Sequence, residues 1–249
     1  MKIWVYALCY NESHFVGNFL TAYKEAERIV VYDNYSTDNS VDLLQKDHRV
    51  EIRYNDSGGE IRDDIYLSIK NNCWKEARGK ADWVVIVDFD EIFLRLTSEV
   101  MDIDLDKPYG DGYTIIKPYG FNMISMDAPL YTDDHPWRWS QKGTYHTPNE
   151  KLCCFRPDKI KEINYGVGCH TCNPRGDVRI YYQPEYKQLH YKAWNYDLYM
   201  TKARLYRNRL SSINKSQGWG FQYVGDDEEQ SNMFMAGVTL AKPILDYGY

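Results

Sequence analysis

The sequence has neither a long apolar run nor an excess of basic residues. No segment approaches the roughly 18 to 20 consecutive apolar residues of a membrane-spanning helix, and the start lacks the charged-then-apolar pattern of a signal peptide. Lys and Arg number 30 against 36 Asp and Glu, a balance that does not favour a nucleic-acid partner. With 249 residues, 43% of them apolar, the chain can bury one large core, and we expect a single domain over residues 1–249.

Cysteine is also scarce, with six residues in the chain. This number excludes the class of small disulfide-rich secreted domains and predicts a reduced, cytoplasmic protein. One group is nevertheless spaced like metal ligands, because Cys169 and Cys172 are three positions apart and flank His170. Cys153 and Cys154 are adjacent, unlike the second pair of a zinc site. A noncatalytic carbohydrate- or nucleotide-binding module with a zinc-stapled Cys/His cluster is therefore the alternative function.

The glycine-rich motifs of the common nucleotide-binding folds are missing as well. Neither G-x-x-x-x-G-K-[ST] nor G-x-G-x-x-G occurs, which counts against a P-loop and against a Rossmann dinucleotide site. A nucleotidyltransferase would also normally carry a glycine-rich phosphate loop after its first strand. A nucleotide in this protein would instead be held by side chains, with a metal ion at its phosphates.

The first half of the chain alternates between strand-like and helix-like segments. Apolar runs typical of short buried strands lie at residues 1–8, 28–32 and 83–87, and residues 50–54 are also strand-like. Helical patterns lie between them, through residues 15–23, 41–44 and 65–74. Repeated β-α units at this spacing predict an α/β fold with a mostly parallel central sheet and helices on both faces.

Polar loops follow three of the predicted strands, at residues 9–13, 33–40 and 88–91. In a parallel sheet these loops lie at one edge, where ligands bind. Asp88 and Asp90 are two apart and point the same way in an extended segment, whereas Phe89 faces the core. Two such carboxylates can hold Mg²⁺ or Mn²⁺, and the metal in turn can grip a diphosphate. An acidic capping turn would give the same local pattern.

These three loops together resemble the nucleotide-sugar half of family-2-type glycosyltransferases with the GT-A fold. The resemblance rests on LCYNE at 8–12, VYDNYSTDNS at 31–40 and VDFDE at 87–91, in this order and spacing. It is strong over residues 1–95 and weaker over residues 96–249. It implies a nucleotide-sugar-binding half at 1–95, and an acceptor-binding half with C-terminal helices at 96–249. It further implies a metal-dependent enzyme that transfers a sugar from a nucleoside diphosphate sugar to an acceptor hydroxyl, usually with inversion.

Carried over residue by residue, the resemblance places Asn11 and Glu12 in the nucleotide pocket and Asp33 on the base or ribose. Arg62 or Asp63, before the fourth strand, would close that pocket.

The resemblance also implies a metal site. Asp88 and Asp90 match the metal-binding acidic motif, and Glu91 would orient them. His190, in a strand-like segment, is predicted to be a further metal ligand, and His170 is its competitor. The expected cofactor is Mn²⁺ or Mg²⁺.

The general base that takes the acceptor proton is not clearly marked in the sequence. Asp127 lies where acceptor loops usually fall and is the predicted base, and Asp133, Asp134 and Glu150 are close alternatives. The Glu-Asp pair of many family members is absent, so the inverting outcome rests on the resemblance alone.

The acceptor side of the chain is rich in aromatic and basic residues. Trp137, Trp139 and Tyr145 could form a platform for a sugar acceptor. Residues 194–213 read as one amphipathic helix whose basic face is solvated or touches an acidic lipid. We therefore expect a glycan or lipid-linked acceptor, with peripheral contact at the inner face of a membrane as an open alternative.

Overall fold

Residues 1–247, which the computed structural model describes, are arranged around one large sheet. The strands are β1 (Ile3–Cys9), β2 (Arg28–Asp33), β3 (Val50–Tyr54), β4 (Trp83–Asp88), β5 (Glu91–Leu96), β6 (Met101–Asp102), β7 (Ile115–Ile124), β8 (Lys142–Tyr145), β9 (Cys154–Phe155), β10 (Ile160–Glu162), β11 (Arg175–Gly176), β12 (Ile180–Ala193) and β13 (Lys242–Pro243). The α-helices are α1 (Val16–Ala22), α2 (Ser40–Leu44), α3 (Asp63–Asn72), α4 (Asp106–Gly110), α5 (Tyr196–Arg209), α6 (Ser212–Gln217) and α7 (Asp227–Leu240). Short 3-10 helices lie at Cys73–Ala77, Pro136–Arg138, Thr147–Asn149, Val167–Cys169, Phe221–Tyr223 and Ile244–Asp246.

The strand order of the main sheet is β3-β2-β1-β4-β9-β7-β12-β5-β6, with β8 paired to β7 and β13 paired to β8. All of these strands run in one direction except β5, β8 and β9. The predicted fold class, α/β with a mostly parallel central sheet flanked by helices, is therefore confirmed. Strands from residues 1–95 and from residues 96–249 pair in the same sheet.

Both faces of the sheet are covered, as the side chains of β1 show. Ile3, Val5 and Ala7 pack in the same core cluster as the buried side of α1. Trp4 and Tyr6, at the alternate positions, pack on the opposite face with Trp74. Apolar side chains are needed on both sides of such a strand, which is why the segment reads as an unbroken apolar run.

The predicted helix over residues 194–213 is wrong in its extent and in its exposed face. The chain leaves the helical conformation at Leu210, which separates α5 from α6. Lys202 and Arg209, expected on a solvated basic face, are buried. Lys202 is turned inward by ion pairs with Glu12 and Asp90, and Nε of Arg209 donates a hydrogen bond to the backbone oxygen of Gly59. A helical periodicity cannot reveal such tertiary contacts.

No helix within residues 1–247 is both long enough and apolar enough to cross a bilayer.

The contact between α1 and the acidic turn gives a stability prediction. Phe19 and Phe89 are buried and stack with ring centroids 4.2 Å apart. Phe19→Ala removes one ring from this core and should lower the free energy of unfolding by about 3–5 kcal/mol, measured by urea denaturation. Phe221→Ala, at a side chain that is 77% exposed, is the control and should change it by about 0.5 kcal/mol or less. Equal losses in the two variants would contradict this prediction.

Candidate active site

The carboxyl ends of β1, β4, β7 and β12 border a cavity of about 1110 Å³. Its polar wall carries the acidic turn after β4, and its other wall is largely apolar and comes from the C-terminal part of the chain. The residues of the apolar wall include Ile124, Phe221, Met233, Phe234, Ala236, Gly237 and Leu240. The cavity thus lies at the sheet edge that the strand pattern predicts for a ligand.

Two buried lysines form ion pairs with the acidic turn. Nζ of Lys70, from α3, lies 2.6 Å from Oδ1 of Asp88, and Lys151 forms a buried ion pair with Glu91. Glu91 also accepts a hydrogen bond from the backbone N–H of Asp88 at 3.0 Å. Phe89 points into the core as predicted. Glu91 therefore braces the backbone of the turn.

Asp90 lies between a histidine and a third buried lysine. Antiparallel pairing of β12 with β5 sets His190 opposite Glu91 and so brings its Nε2 to 3.4 Å from Oδ1 of Asp90. Nζ of Lys202, from α5, is 3.5 Å from Oδ2 of Asp90 and 2.7 Å from Oε1 of Glu12. Lys202 thereby links the loop after β1 to the loop after β4.

Burial and these ion pairs act in opposite directions on the carboxyl pKa values. Burial alone would raise the pKa of Asp88, but Lys70 and Lys151 outweigh it and lower the pKa to about 2. Lys202 and His190 likewise outweigh burial at Asp90 and hold its pKa well below the ordinary value.

Glu12 behaves differently. Burial dominates there and raises the pKa to about 7 in spite of Lys202.

Asp90 and His190 would supply two ligands to a divalent cation, and a bound substrate would have to supply others. A separation of 3.4 Å between Oδ1 of Asp90 and Nε2 of His190 is close to the roughly 3 Å between neighbouring ligands of an octahedral ion with bonds of about 2.1 Å. Oδ2 of Asp88 forms a long ion pair with Nζ of Lys151, at 3.6 Å, and does not accept a hydrogen bond from it. Among residues 1–247, no three His, Cys, Asp or Glu side chains are grouped so that they could hold a metal by themselves. Mg²⁺ and Mn²⁺ commonly complete such a partial set with water and substrate phosphates.

Two of the five predicted nucleotide-binding residues, Glu12 and Asp63, line the cavity. Asp63 accepts a hydrogen bond from Nδ2 of Asn214 at 2.8 Å. Burial and the nearby carboxylate of Asp88 raise the pKa of Asp63. Both residues therefore face the space where a ligand would lie.

The other three, Asn11, Asp33 and Arg62, are not among the residues that line the cavity. Asp33 is fully buried, and its carboxylate accepts a hydrogen bond from the backbone N–H of Ser36 at 2.8 Å. Oδ1 of Asn11 accepts one from the backbone N–H of Thr37 at 2.7 Å. Arg62 forms an ion pair with the aspartate two positions later in the chain. Asn11 and Asp33 thus brace the loops that form the site.

None of the four carboxylates considered as general base lines the cavity within the described part of the chain. Asp127 is exposed and makes a single backbone bridge with Asn195. Glu150 forms an ion pair with Lys117 at 2.8 Å, and Asp133 and Asp134 lie on the segment that packs beside α1. The predicted aromatic platform, Trp137, Trp139 and Tyr145, also lies away from the cavity wall.

Among residues 1–247, the cysteines do not assemble a zinc-stapled cluster. Cys153 and Cys154 pack in the main core, whereas Cys169 packs in the core cluster on the opposite face of the sheet. His170 lines the cavity instead, and its Nδ1 lies 2.7 Å from the backbone oxygen of Pro148.

The sequence did not predict that cationic side chains would line the site. Lys151, Lys192 and Arg209 line the cavity, and Lys70 and Lys202 pair with its carboxylates. Lys192 is the one with a usable signal, because it lies two positions after His190 and shares its side of β12. The others are single lysines and arginines on different elements, and only the fold brings them together.

A close backbone contact shapes the wall that carries residues 146–151. A Cβ at Gly120, on β7, would lie 2.4 Å from the backbone carbon of Asn149. Gly120→Ala should therefore lower the free energy of unfolding by about 1–3 kcal/mol in urea titrations, because rigid backbone must move. Gly110→Ala, which meets nothing within 4 Å, is the control and should be neutral or slightly stabilising. An unchanged free energy of unfolding in Gly120→Ala would show that the backbone at Asn149 moves aside at little cost.

No protein-family model and no curated protein matches the sequence. Among solved structures, the chain is similar to glucosyl-3-phosphoglycerate synthase from Mycobacterium tuberculosis in complex with Mn²⁺, UDP and glucosyl-3-phosphoglycerate, at 17% identity, a TM-score of 0.31 and coverage of 48% of this chain and 44% of that one. It is also similar to a 4-diphosphocytidyl-2C-methyl-D-erythritol synthase, at 11% identity and a TM-score of 0.36, with coverage of 64% of this chain and 75% of that one. Similarity to HddC from Yersinia pseudotuberculosis is at 12% identity and a TM-score of 0.36, with coverage of 81% of this chain and 97% of that one. The chain spans less than half the length of the mycobacterial synthase. Similarities with TM-scores this low establish neither a shared fold nor a shared activity.

Proposed function

We propose that this protein is a metal-dependent glycosyltransferase of the GT-A type. It would move a sugar from a nucleoside diphosphate sugar to an acceptor hydroxyl, with inversion, in polysaccharide or glycan synthesis. The observation that carries the proposal is the pairing of Asp90 with His190 at the carboxyl edge of the sheet, in a cavity of about 1110 Å³. The motifs at residues 8–12, 31–40 and 87–91 support it independently of the geometry.

In this proposal Asp88, Asp90 and His190 hold Mn²⁺ or Mg²⁺, with the remaining ligands supplied by the diphosphate and water. The ion, when bound, neutralises charge on the departing diphosphate. Glu12, on the loop that Asn11 braces, and Asp63, at the start of α3, would face the nucleotide.

Two cationic side chains are available for the phosphates or for an anionic acceptor. Lys192 lies 4.3 Å from the ring centre of Tyr223, and Arg209 stacks on Tyr10; all four residues line the cavity. Cations that face a cavity in this way stabilise anionic ligands in a partly desolvated space.

The apolar wall supports an acceptor with an apolar part, such as a lipid-linked glycan. Phe221, Met233 and Leu240 line the cavity and are also exposed at the surface. An apolar wall that continues onto the surface can accommodate a chain that extends out of the site, or contact a membrane.

The direct test measures thermal stabilisation of the protein by UDP, GDP, CDP and dTDP with and without Mn²⁺. A panel of the corresponding sugar nucleotides is then assayed for release of the free nucleotide. Stabilisation that requires both Mn²⁺ and one diphosphate, together with release from the matching donor, is the expected result. Pyrophosphate release from a nucleoside triphosphate and a sugar 1-phosphate would identify a nucleotidyltransferase instead. Binding without any turnover would identify a noncatalytic module.

A further inference from the structure

Three histidines, His146, His170 and His190, line the cavity, and their ring nitrogens have different surroundings. Nε2 of His190 contacts Asp90, and Nδ1 of His146 is buried without a hydrogen-bond partner. Only His170 has a ring nitrogen bonded to a backbone carbonyl, with Nδ1 2.7 Å from the oxygen of Pro148. A carbonyl oxygen can only accept a hydrogen bond, so Nδ1 of neutral His170 carries the proton and Nε2 carries a lone pair.

The loop that carries His170 is shaped around this ring. A Cβ at Gly168 would lie 2.6 Å from Cδ2 and 2.7 Å from Nε2 of His170. Gly168 has a φ of +68° and the following Cys169 a φ of +58°. Such conformations are costly outside glycine and mark loops that hold a side chain in a defined place. Gly168 and His170 both line the cavity, so the ring lies at the cavity wall.

The carboxylates of the cavity are already engaged. Glu12, Asp88, Asp90 and Glu91 each form an ion pair with a buried lysine. Asp63 accepts a hydrogen bond from Asn214. Within residues 1–247, by contrast, Nε2 of His170 has no hydrogen-bond or ion-pair partner. Partial desolvation and the nearby ammonium of Lys151 lower the pKa of His170, which favours the neutral ring.

We infer that Nε2 of His170 is the general base that accepts the proton of the acceptor hydroxyl. The inference rests on the proposed function and adds the base that the predicted carboxylates do not supply. The acceptor oxygen forms a bond to the anomeric carbon while the bond from that carbon to the diphosphate oxygen breaks. The diphosphate leaves with the bonding electron pair, and the acceptor proton moves to Nε2. Hydrogen bonding from Nδ1 to the carbonyl of Pro148 stabilises the imidazolium that results.

The test uses His170→Ala in the full chain, with water as acceptor and the sugar nucleotide that the wild-type protein hydrolyses. We expect kcat to fall by roughly 10²–10⁴-fold, the usual contribution of a general base. Added imidazole should restore part of the rate in His170→Ala, because a free base can enter the space that the ring leaves. Mn²⁺-dependent binding of the nucleoside diphosphate should stay within about threefold of wild type, since the base does not hold the donor.

Two matched histidine variants and one glycine variant serve as controls. His48→Ala, at a side chain that is 95% exposed, should keep wild-type turnover. His146→Ala should lose less than about tenfold and gain nothing from imidazole. Gly168→Ala, which displaces the ring, should reproduce the loss in His170→Ala without imidazole rescue, because the displaced ring still fills the loop.

The dependence of kcat/KM on pH gives a second readout. In the wild type, kcat/KM should fall as the pH drops through the pKa of His170. His170→Ala assayed without imidazole should not show this fall at low pH. The charged and titratable groups that face the ring are Lys151, Glu91, Asp88 and His146.

Several outcomes would overturn the inference while leaving the proposed function intact. Turnover within threefold of wild type in His170→Ala is one, and a loss of rate that imidazole does not restore is another. Loss of Mn²⁺-dependent nucleotide binding in this variant would instead make His170 a ligand of the metal. Failure of the wild-type protein to bind any nucleoside diphosphate would overturn the proposed function itself.

Discussion

Asp90→Ala and His190→Ala should each abolish the Mn²⁺-dependent stabilisation of this protein by a nucleoside diphosphate. The two side chains lie 3.4 Å apart and are proposed to share one ion, so neither variant retains the chelating pair. Loss of a residue that merely orients a metal ligand costs on the order of 10–100-fold in affinity, and we expect at least about 100-fold here.

Thermal unfolding can measure this loss. A ligand at a hundred times its dissociation constant stabilises the folded state by about 2.7 kcal/mol. For a chain of this size, that corresponds to a shift of roughly 5–10 °C in Tm. Asp90→Ala and His190→Ala should show almost none of the shift.

Matched controls are available for both variants. His48→Ala and Asp106→Ala change exposed side chains of the same types and should keep the full shift. Full Mn²⁺-dependent stabilisation in Asp90→Ala and His190→Ala would show that the metal site has been assigned wrongly.

The second large effect is expected at Lys202, whose ammonium holds two buried carboxylates. Lys202→Met keeps the approximate volume but leaves Glu12 and Asp90 without their lysine. Removing one partner of a buried ion pair typically costs about 3–5 kcal/mol, and we expect a loss of this size in urea unfolding at pH 8. The exposed pair of Lys107 with Asp111 gives a matched control, and Lys107→Met should leave the unfolding free energy nearly unchanged.

The pH dependence of the Lys202→Met loss follows from the pKa of Glu12. Burial raises that pKa from 4.5 in the unfolded chain to about 7 in the folded protein, so the folded state binds the Glu12 proton more tightly. At pH 5 Glu12 is protonated in the folded variant and needs no cation. Because Lys202 lowers the pKa of Glu12, removing it raises that pKa further. Above pH 7 Glu12 therefore ionises beside Lys202 in the wild type, whereas the variant must bury an unpaired carboxylate or keep the proton bound, and the loss of stability grows as the pH rises to 8. Glu12→Gln in the Lys202→Met background removes this charge and should recover about half of the loss at pH 8. A loss that is equal at both pH values and unchanged in the double variant would show that Lys202 acts mainly by packing.

Secondary structure in the first half of the chain could be predicted closely because it depends on local pattern. The strand predicted at 50–54 matches β3, and those at 28–32 and 83–87 match β2 and β4 to within one residue. β2 and β4 are largely buried and read as continuous apolar runs, whereas β3 is half-buried and alternates apolar with charged residues. Neither signal depends on distant partners. The convergence of the loops after β1 and β4 on one edge then follows from parallel pairing alone.

Local sequence patterns could not predict which side chains pair with each other. Asp88 and Asp90 look equivalent in the sequence, yet Asp88 is held by Lys70 and Asp90 faces His190. These contacts join positions 18 and 100 residues apart, and only the pairing of strands and the packing of helices sets their distances. Asp33 lies at a strand end, where an acidic residue could contact a ligand. In the structure its carboxylate instead accepts a hydrogen bond within its own loop.

The sequence by itself thus determined the order of the first strands, the edge at which a ligand would bind and the acidic turn at its centre. Local apolar periodicity and the two-residue spacing of the aspartates are sufficient for those conclusions. The tertiary structure alone decided which charges compensate each other, that His190 meets Asp90, and that His170 rather than Asp127 lines the cavity. The contact of His190 with Asp90 depends on the register of β12 against β5. The pairs formed by Lys70 and Lys202 depend on the packing of α3 and α5, and the position of His170 depends on a loop with left-handed backbone conformations. None of these leaves a periodic pattern in the chain.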